Sequence, residues 1–379
     1  MSLFERAKRT PPWLRKPLRA AWYGSKRLKV ALSSLGDVPR ALTRPRPPMR
    51  ILGIYHLQEH AGYLGDMIDY LEILNVLRVQ HGLDKIDICY IDDSSNPNQP
   101  ISRPRLEASP EYKEMMLSLR AVLPRVGAVH LFDADAEFER FFRMNYRRYV
   151  CWPRYGRLHT WPTYTDYGLL SDDGHPFANV YTPIDEYFAA HGSLPKLSCP
   201  PALLEWARAF VRAHVSPALP IALQIRFNPD SPLRDTVLEA WKEFLQRMES
   251  RSEVKFIILC RREEIVPELR RLRNVLYSKD HVSAALNDLA LLQVCHFSMM
   301  PDSGFVTFPW FCGLPTVYFG KQLHEFPERR YKNERGQGLK FLTRFQRRRI
   351  GAHDAEALLR EFNSLYDDLA AAGWRNPNL

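Results

Sequence analysis

The chain has 379 residues and a formal net charge of +10, from 53 Lys and Arg against 43 Asp and Glu. Residues 1–48 hold twelve of the basic residues and only two acids, Glu5 and Asp37, so the rest of the chain sums to zero. A neutral body excludes a histone-like or ribosomal-type protein and gives a nucleic-acid backbone nothing to track, while 45% hydrophobic and 25% charged residues describe an ordinary globular protein of roughly two domains.

The first element is a basic helix. With Pro17 in its first turn, a helical wheel puts Leu14, Leu18, Trp22, Ser25, Leu28, Leu32 and Leu35 on one face and Arg15, Lys16, Arg19, Lys26 and Arg27 on the other. That pattern predicts a helix lying in a membrane interface, with residues 14–35 on an anionic surface and each cation there worth ~1 kcal/mol. A helix packed on the protein's own body and a mitochondrial transit peptide are the alternatives. Residues 39–48 (PRALTRPRPP) cannot continue a helix and read as an extended linker. No run approaches the ~18 apolar residues that span a bilayer, and MSLFERAKRT is not followed by the apolar stretch of a secretion signal. The six cysteines, Cys89, Cys151, Cys199, Cys260, Cys295 and Cys312, form no C-x-x-C pair. Several sit in apolar runs, which predicts buried thiols in a reducing compartment.

From residue 49 strands and helices alternate. The apolar run 49–55 predicts a strand, the 3.6-residue spacing over 66–81 a helix, and 86–91 a second strand. A helix near 110–121 and a strand over 128–132 follow. Residues 145–200 are rich in aromatics, Pro and Gly and predict loops and short helices over the sheet's edge. A helix over 201–214 leads to Ser216-Pro-Ala-Leu-Pro220, a domain junction. The second alternation has strands at 221–226, 254–260, 275–277, 297–300 and 315–319, with helices over 234–249, 263–272, 283–295, 305–313 and 354–371. The pattern predicts an α/β protein of two doubly wound, parallel-sheet domains facing a cleft. These are a leader over 1–48, a first domain over 49–216 and a second over 217–350. A C-terminal helix in 351–379 is expected to pack back toward the first domain.

In such sheets ligands sit beyond the carboxyl ends of the strands. Two loops of the second domain carry suitable groups there. Gln224-Ile-Arg226-Phe-Asn228-Pro-Asp-Ser-Pro-Leu-Arg234 places guanidinium groups that grip phosphate, and Asp302-Ser303-Gly304 opens a helix whose amides and dipole favour an anion. Capping by Ser or Asp explains either loop alone; together they favour a diphosphate site. In the first domain His56, Glu59, His60 and Asp66 lie between the first strand and helix, and Trp152, Tyr155, His159, Trp161 and Tyr164 offer aromatic faces for sugar rings or simply a core under a long loop. Neither Asp92-Asp93 nor Asp172-Asp173 has further ligands, so no metal and no other cofactor is expected.

The segment Met300-Pro-Asp302-Ser303-Gly304-Phe-Val-Thr-Phe-Pro-Trp-Phe-Cys-Gly313-Leu-Pro315-Thr316-Val317 resembles the D-[ST]-G…G-x-P-T/V stretch of the ADP-heptose transferases, enzymes with two Rossmann-like domains (GT-B type). Gln224-Ile225-Arg226 is similar to the H-x-R strand of nucleotide-sugar fucosyltransferases, with Gln224 in place of the His. The resemblance implies that Ser303 and Gly304 hold a donor pyrophosphate, that Arg226 binds its β-phosphate, and that Asp66, in a Gly65-Asp66 helix start, is the base for an acceptor hydroxyl. An N-cap is the plain alternative for Asp66, and Glu59 and His60 are the competing bases. The expectation is a metal-independent glycosyltransferase that moves a sugar from a nucleotide-diphosphate donor to a glycan or lipid-linked acceptor in cell-surface polysaccharide assembly. It would be cytoplasmic and peripheral on the inner face of the cytoplasmic membrane. A nucleotide-sugar epimerase or hydrolase of the same fold, and a non-catalytic membrane-binding protein, are the competing readings.

Overall fold

The computed structural model describes residues 50–57, 64–92, 110–151, 157–158, 160–161, 182–227, 235–282, 284–320, 339–351 and 353–379. The basic leader and its linker lie outside the described residues. The strands are β1 (Arg50–His56), β2 (Lys85–Ile91), β3 (Val126–Phe132), β4 (Val150–Cys151), β5 (Arg157–Leu158), β6 (Thr160–Trp161), β7 (Leu219–Gln224), β8 (Val254–Leu259), β9 (Val275–Tyr277), β10 (Phe297–Pro301), β11 (Thr316–Gly320) and β12 (Gln346–Ile350). The helices are α1 (Leu64–Gln80), α2 (Pro110–Ser118), α3 (Asp135–Asn145), α4 (Thr182–His191), α5 (Pro201–His214), α6 (Leu238–Arg247), α7 (Ala285–Val294), α8 (Thr307–Cys312) and α9 (Ala355–Ala371).

The chain forms two compact units. One takes the described residues of Met1–Gly62, Leu77–Lys113 and Arg125–Ala178; the other takes Tyr63–Val76, Glu114–Pro124 and Asn179–Leu379. A linear division at residue 216 is therefore corrected. The start of α1 and the whole of α4 and α5 belong with the second unit, and the chain passes between the units more than once. Sequence periodicity marks elements but not which sheet each one covers.

The first unit is built on a parallel sheet in the order β3-β2-β1-β6, while β4 and β5 pair as a small antiparallel ribbon. Strands β1 and β2 are buried almost throughout, as continuous apolar strands of a parallel sheet are. Asp87 interrupts β2 at no exposure, and its carboxylate accepts hydrogen bonds from Arg50 Nη1 (2.9 Å), the Ala128 amide (2.7 Å) and the Tyr149 hydroxyl (3.1 Å). Three donors satisfy a charge that would otherwise be costly to bury. Helix α3, absent from the sequence reading, lays Phe138 and Phe142 on Leu52, Ile54, Cys89 and Ile91.

The second unit carries a six-stranded sheet in the order β12-β11-β10-β7-β8-β9, every neighbouring pair parallel. Renumbered within the unit and read from the β9 edge, this is the 3-2-1-4-5-6 Rossmann order. Its core gathers Trp241, Phe244, Phe256, Phe297, Phe319 and Phe362. Phe362 comes from α9, which packs on this second sheet and on α6, not toward the first domain as the sequence reading expected. The apolar face Leu358, Phe362, Leu365 and Leu369 is wholly buried there. Arg347 and Arg349 of β12 add ion pairs to Asp368 and Glu361 of the same helix. Strand β12 (QRRRI) has no apolar alternation to mark it in the sequence, because its arginines are held by side-chain partners. The helix expected over 263–272 is two short 3-10 turns, Arg262–Glu264 and Leu269–Arg271, separated by Pro267, which supplies no amide for a continuing helix. Among the described residues no helix is long and apolar enough to cross a membrane. Cys89, Cys199, Cys260, Cys295 and Cys312 are buried free thiols.

Candidate active site

Strands β7 and β10 are neighbours at the point where the strand order of the second sheet reverses. The chain leaves their carboxyl ends toward opposite sides there, opening a crevice for a ligand. Both loops picked out in the sequence lie at this place.

Arg226, just beyond β7, is 8% exposed. Its amide donates to Thr236 Oγ1 (2.9 Å), its carbonyl accepts from the Thr236 amide (3.0 Å), and its Nη1 is paired with Asp235 (2.7 Å). These bonds close the intervening loop at its two ends; Asn228 and Arg234 lie outside the described residues. Glu264, buried after β8, accepts from the Phe227 amide (2.9 Å), the Arg261 amide (2.8 Å) and Arg261 Nη2 (2.9 Å). One carboxylate thus ties the turn after β7 to the turn after β8. Neither Asp235 nor Glu264 belongs to a motif visible in the sequence. An acidic residue soon after a strand end is the local signal for Glu264, and one at the start of a predicted helical segment that for Asp235.

After β10 the Asp302 amide donates to the Phe319 carbonyl (2.9 Å), which fixes where the turn begins. Ser303 has extended backbone (φ −137°), and its Oγ accepts from the Phe305 amide (3.2 Å) while donating to Gln224 Oε1. Ser303 is therefore the cap of the turn that leads into α8, and Gln224 joins the two strand ends. Gln224, noticed in the sequence only as a departure from a pattern, is the residue that couples the loops. Arg348 of β12 brings Nη2 to 4.0 Å from Asp302 Oδ2. Gly320 leaves the space beside them, since a Cβ there would lie 3.6 Å from Asp302 Oδ2 and 3.8 Å from Arg348 Nη2.

The third component comes from far away in the sequence. Asp66 is the third residue of α1 and 4% exposed, with its carboxylate at the positive end of the helix dipole. The preceding residue, Gly65, touches Gly304: a Cβ on Gly65 would lie 2.6 Å from Gly304 Cα, and one on Gly304 would lie 2.7 Å from Gly65 N. The fold thus sets the first turn of α1 against the Ser303–Gly304 turn. Farther along this wholly buried stretch of α1, burial holds the Glu72 carboxyl well above the usual carboxylate range; the Asn75 hydrogen bond opposes that shift and Asp69 adds to it.

Other sequence candidates are placed elsewhere or not described. Glu59, His60, Trp152, Tyr155, His159 and Tyr164 lie outside the described residues. The backbone of Trp161 is in β6, opposite Gly53 of β1. His56 ends β1 in the first unit, fully buried, with Nε2 3.8 Å from Asp135 Oδ1. Asp92, the residue after β2, is in an ion pair with Lys113.

No protein-family model matches the chain, and no curated protein matches it in sequence. Its likeness to known proteins is one of fold. The Escherichia coli ADP-heptose LPS heptosyltransferase II superposes with a TM-score of 0.51 at 12% identity, over 84% of this chain and 99% of that one. A glycosyl transferase family 9 protein from Veillonella parvula gives 0.51 at 13% identity, over 84% and 97%. The chain thus has the two-Rossmann-unit, GT-B type fold of these glycosyltransferases, the fold that its Asp302-Ser303-Gly304 segment led one to expect.

Proposed function

We propose that the protein is a glycosyltransferase that moves a sugar from a nucleotide-diphosphate donor to the hydroxyl of a glycan or lipid-linked acceptor. The observation that carries this reading is the meeting of Asp66's helical turn with the Ser303–Gly304 turn at the reversal point of a Rossmann sheet. A base and an anion-holding turn side by side suit displacement at an anomeric carbon bearing a diphosphate. In this mechanism Asp66 takes the proton of the acceptor hydroxyl as its oxygen attacks the anomeric carbon, and the C–O bond to the diphosphate breaks. The leaving diphosphate gains negative charge, which Arg226 and the amides following Ser303 stabilise; one such donor aimed at a developing charge is worth roughly 3–4 kcal/mol of barrier. Protein groups in place of a metal neutralise that charge. The leader, residues 14–35, holds the protein on an anionic membrane, which suits a lipid-linked acceptor in surface-polysaccharide assembly on the cytoplasmic side.

Thermal-shift measurements with UDP, GDP, ADP and CMP test the donor site: one of them raises the melting temperature, and no response to any removes the reading. Release of the matching nucleoside diphosphate from UDP-glucose, GDP-mannose or ADP-glucose, with water or an added glycan as acceptor, measures turnover. Asp66→Asn abolishes that release and keeps the thermal shift. Unchanged release would take Asp66 out of the mechanism.

A further inference from the structure

Gly65 and Gly304 are glycines for reasons of space. Neither is among the glycines with positive φ, which are Gly82, Gly192, Gly313, Gly351 and Gly373, so the backbone conformation does not require glycine at either position. A glycine in a helical first turn also lowers helix propensity, which calls for a compensating reason. That reason is the contact itself. The three atoms nearest to a Cβ on Gly65 are all backbone of Gly304, at 2.6, 3.0 and 3.3 Å, and the three nearest to one on Gly304 are backbone of Gly65 and Leu64. The atoms in the way are backbone, which cannot swing aside as a side chain could. Ordinary contact begins near 3.4 Å, so a methyl group on either residue must push the two turns apart by about 0.8 Å.

We propose that Gly65 and Gly304 form a positioning pair, whose bare backbone contact sets Asp66 at its working distance from the group held by the Ser303–Gly304 turn. The proposal rests on the transferase reading. Asp66 follows Gly65 directly, whereas the Ser303–Gly304 turn is tied to the sheet through the Asp302 amide on Phe319 and Ser303 on Gln224, so a displacement at the contact falls mainly on the Asp66 side. The donor's nucleotide is held by residues of the second sheet's own loops and does not depend on the contact in the same way. The pair should therefore govern turnover more than nucleotide affinity.

The test is Gly65→Ala in the full chain. Turnover is read as nucleoside diphosphate release from the nucleotide sugar used by the wild type, and affinity by calorimetry with the corresponding nucleoside diphosphate. A shift of about 1 Å in a reacting group costs on the order of 100-fold in rate, so kcat falls by that order while Kd stays within threefold. Gly192→Ala is the control: it strains a left-handed residue (φ +71°) with nothing within 4 Å, and it lowers the melting temperature without changing kcat. If Gly65→Ala keeps kcat within threefold, the positioning role is overturned and the transferase reading stands. If it loses nucleotide affinity and kcat together, or does not fold at 20 °C, the contact is structural and the proposal is likewise overturned. If the wild type binds no nucleotide, the transferase reading itself has failed.

Discussion

Phe362 gives the sharpest test of how the second unit is held together. Its ring is fully buried, with centroids 5.9 Å from Phe244, 5.9 Å from Phe256 and 5.3 Å from Phe297, and Arg251 lies 5.2 Å above it. Two of those neighbours, Phe256 and Phe297, stand on strands β8 and β10, whose backbones are locked into ladders on both sides. The cavity left by Phe362→Ala can therefore collapse only partly, and the cost should fall in the upper part of the ~3–5 kcal/mol found for burying and then deleting an aromatic ring. For a unit of this size each kcal/mol moves the midpoint by about 2–4 °C, so about 4–5 kcal/mol gives a drop of roughly 8–20 °C. The assay is a thermal melt followed by tryptophan fluorescence, since Trp241 lies in the same cluster. The lowered transition should be the one that a bound nucleoside diphosphate raises, because ligand and ring belong to one unit. A drop below 2 °C, or a drop confined to a transition that nucleotide leaves untouched, would refute the placement of α9 on the second sheet.

Two further outcomes follow from buried charges. The folded protein holds the Glu72 proton more tightly than the unfolded chain, whose carboxyl titrates near 4.5. The native state therefore binds more protons over the window above 4.5, and wild-type stability falls as pH rises through it. Glu72→Gln removes this titration, so its stability relative to the wild type, measured by urea unfolding, rises as the pH increases above 4.5; a constant or falling difference refutes the upward shift of the Glu72 carboxyl. Lys279 and Asp288 form an ion pair with each side chain 7% exposed, and Ser278 Oγ adds a 2.8 Å bond to the carboxylate. Lys279→Met leaves that carboxylate buried without its cation and costs about 3–5 kcal/mol in urea unfolding, whereas Lys279→Met/Asp288→Leu recovers most of the loss. Additive losses in the double variant would contradict a coupled buried pair.

The local chemistry of the chain sufficed for most of the scaffold. Apolar runs such as those of β1, β2, β8 and β10 read as buried parallel strands because a sheet covered on both faces asks for nothing but apolar side chains. The periodicity of α5 and α9 showed them as helices, each with one buried stripe. The sequence also pointed to Arg226 and Ser303–Gly304, since strand-to-helix turns in such folds are where anions bind. Charged or polar elements with tertiary partners were not legible: β12 holds its arginines against α9 and Asp302, and Glu264 gains its meaning from amides that two separate strands deliver to it. Nor does periodicity say which sheet a helix will cover, which is why α5 and α9 were expected elsewhere. Above all, a Gly-Asp pair near residue 65 and a Ser-Gly pair near residue 303 carry no mutual signal in sequence. Only tertiary packing could decide that Gly65 rests on Gly304, because whether two backbones touch depends on the absence of side chains at both ends of a long-range contact.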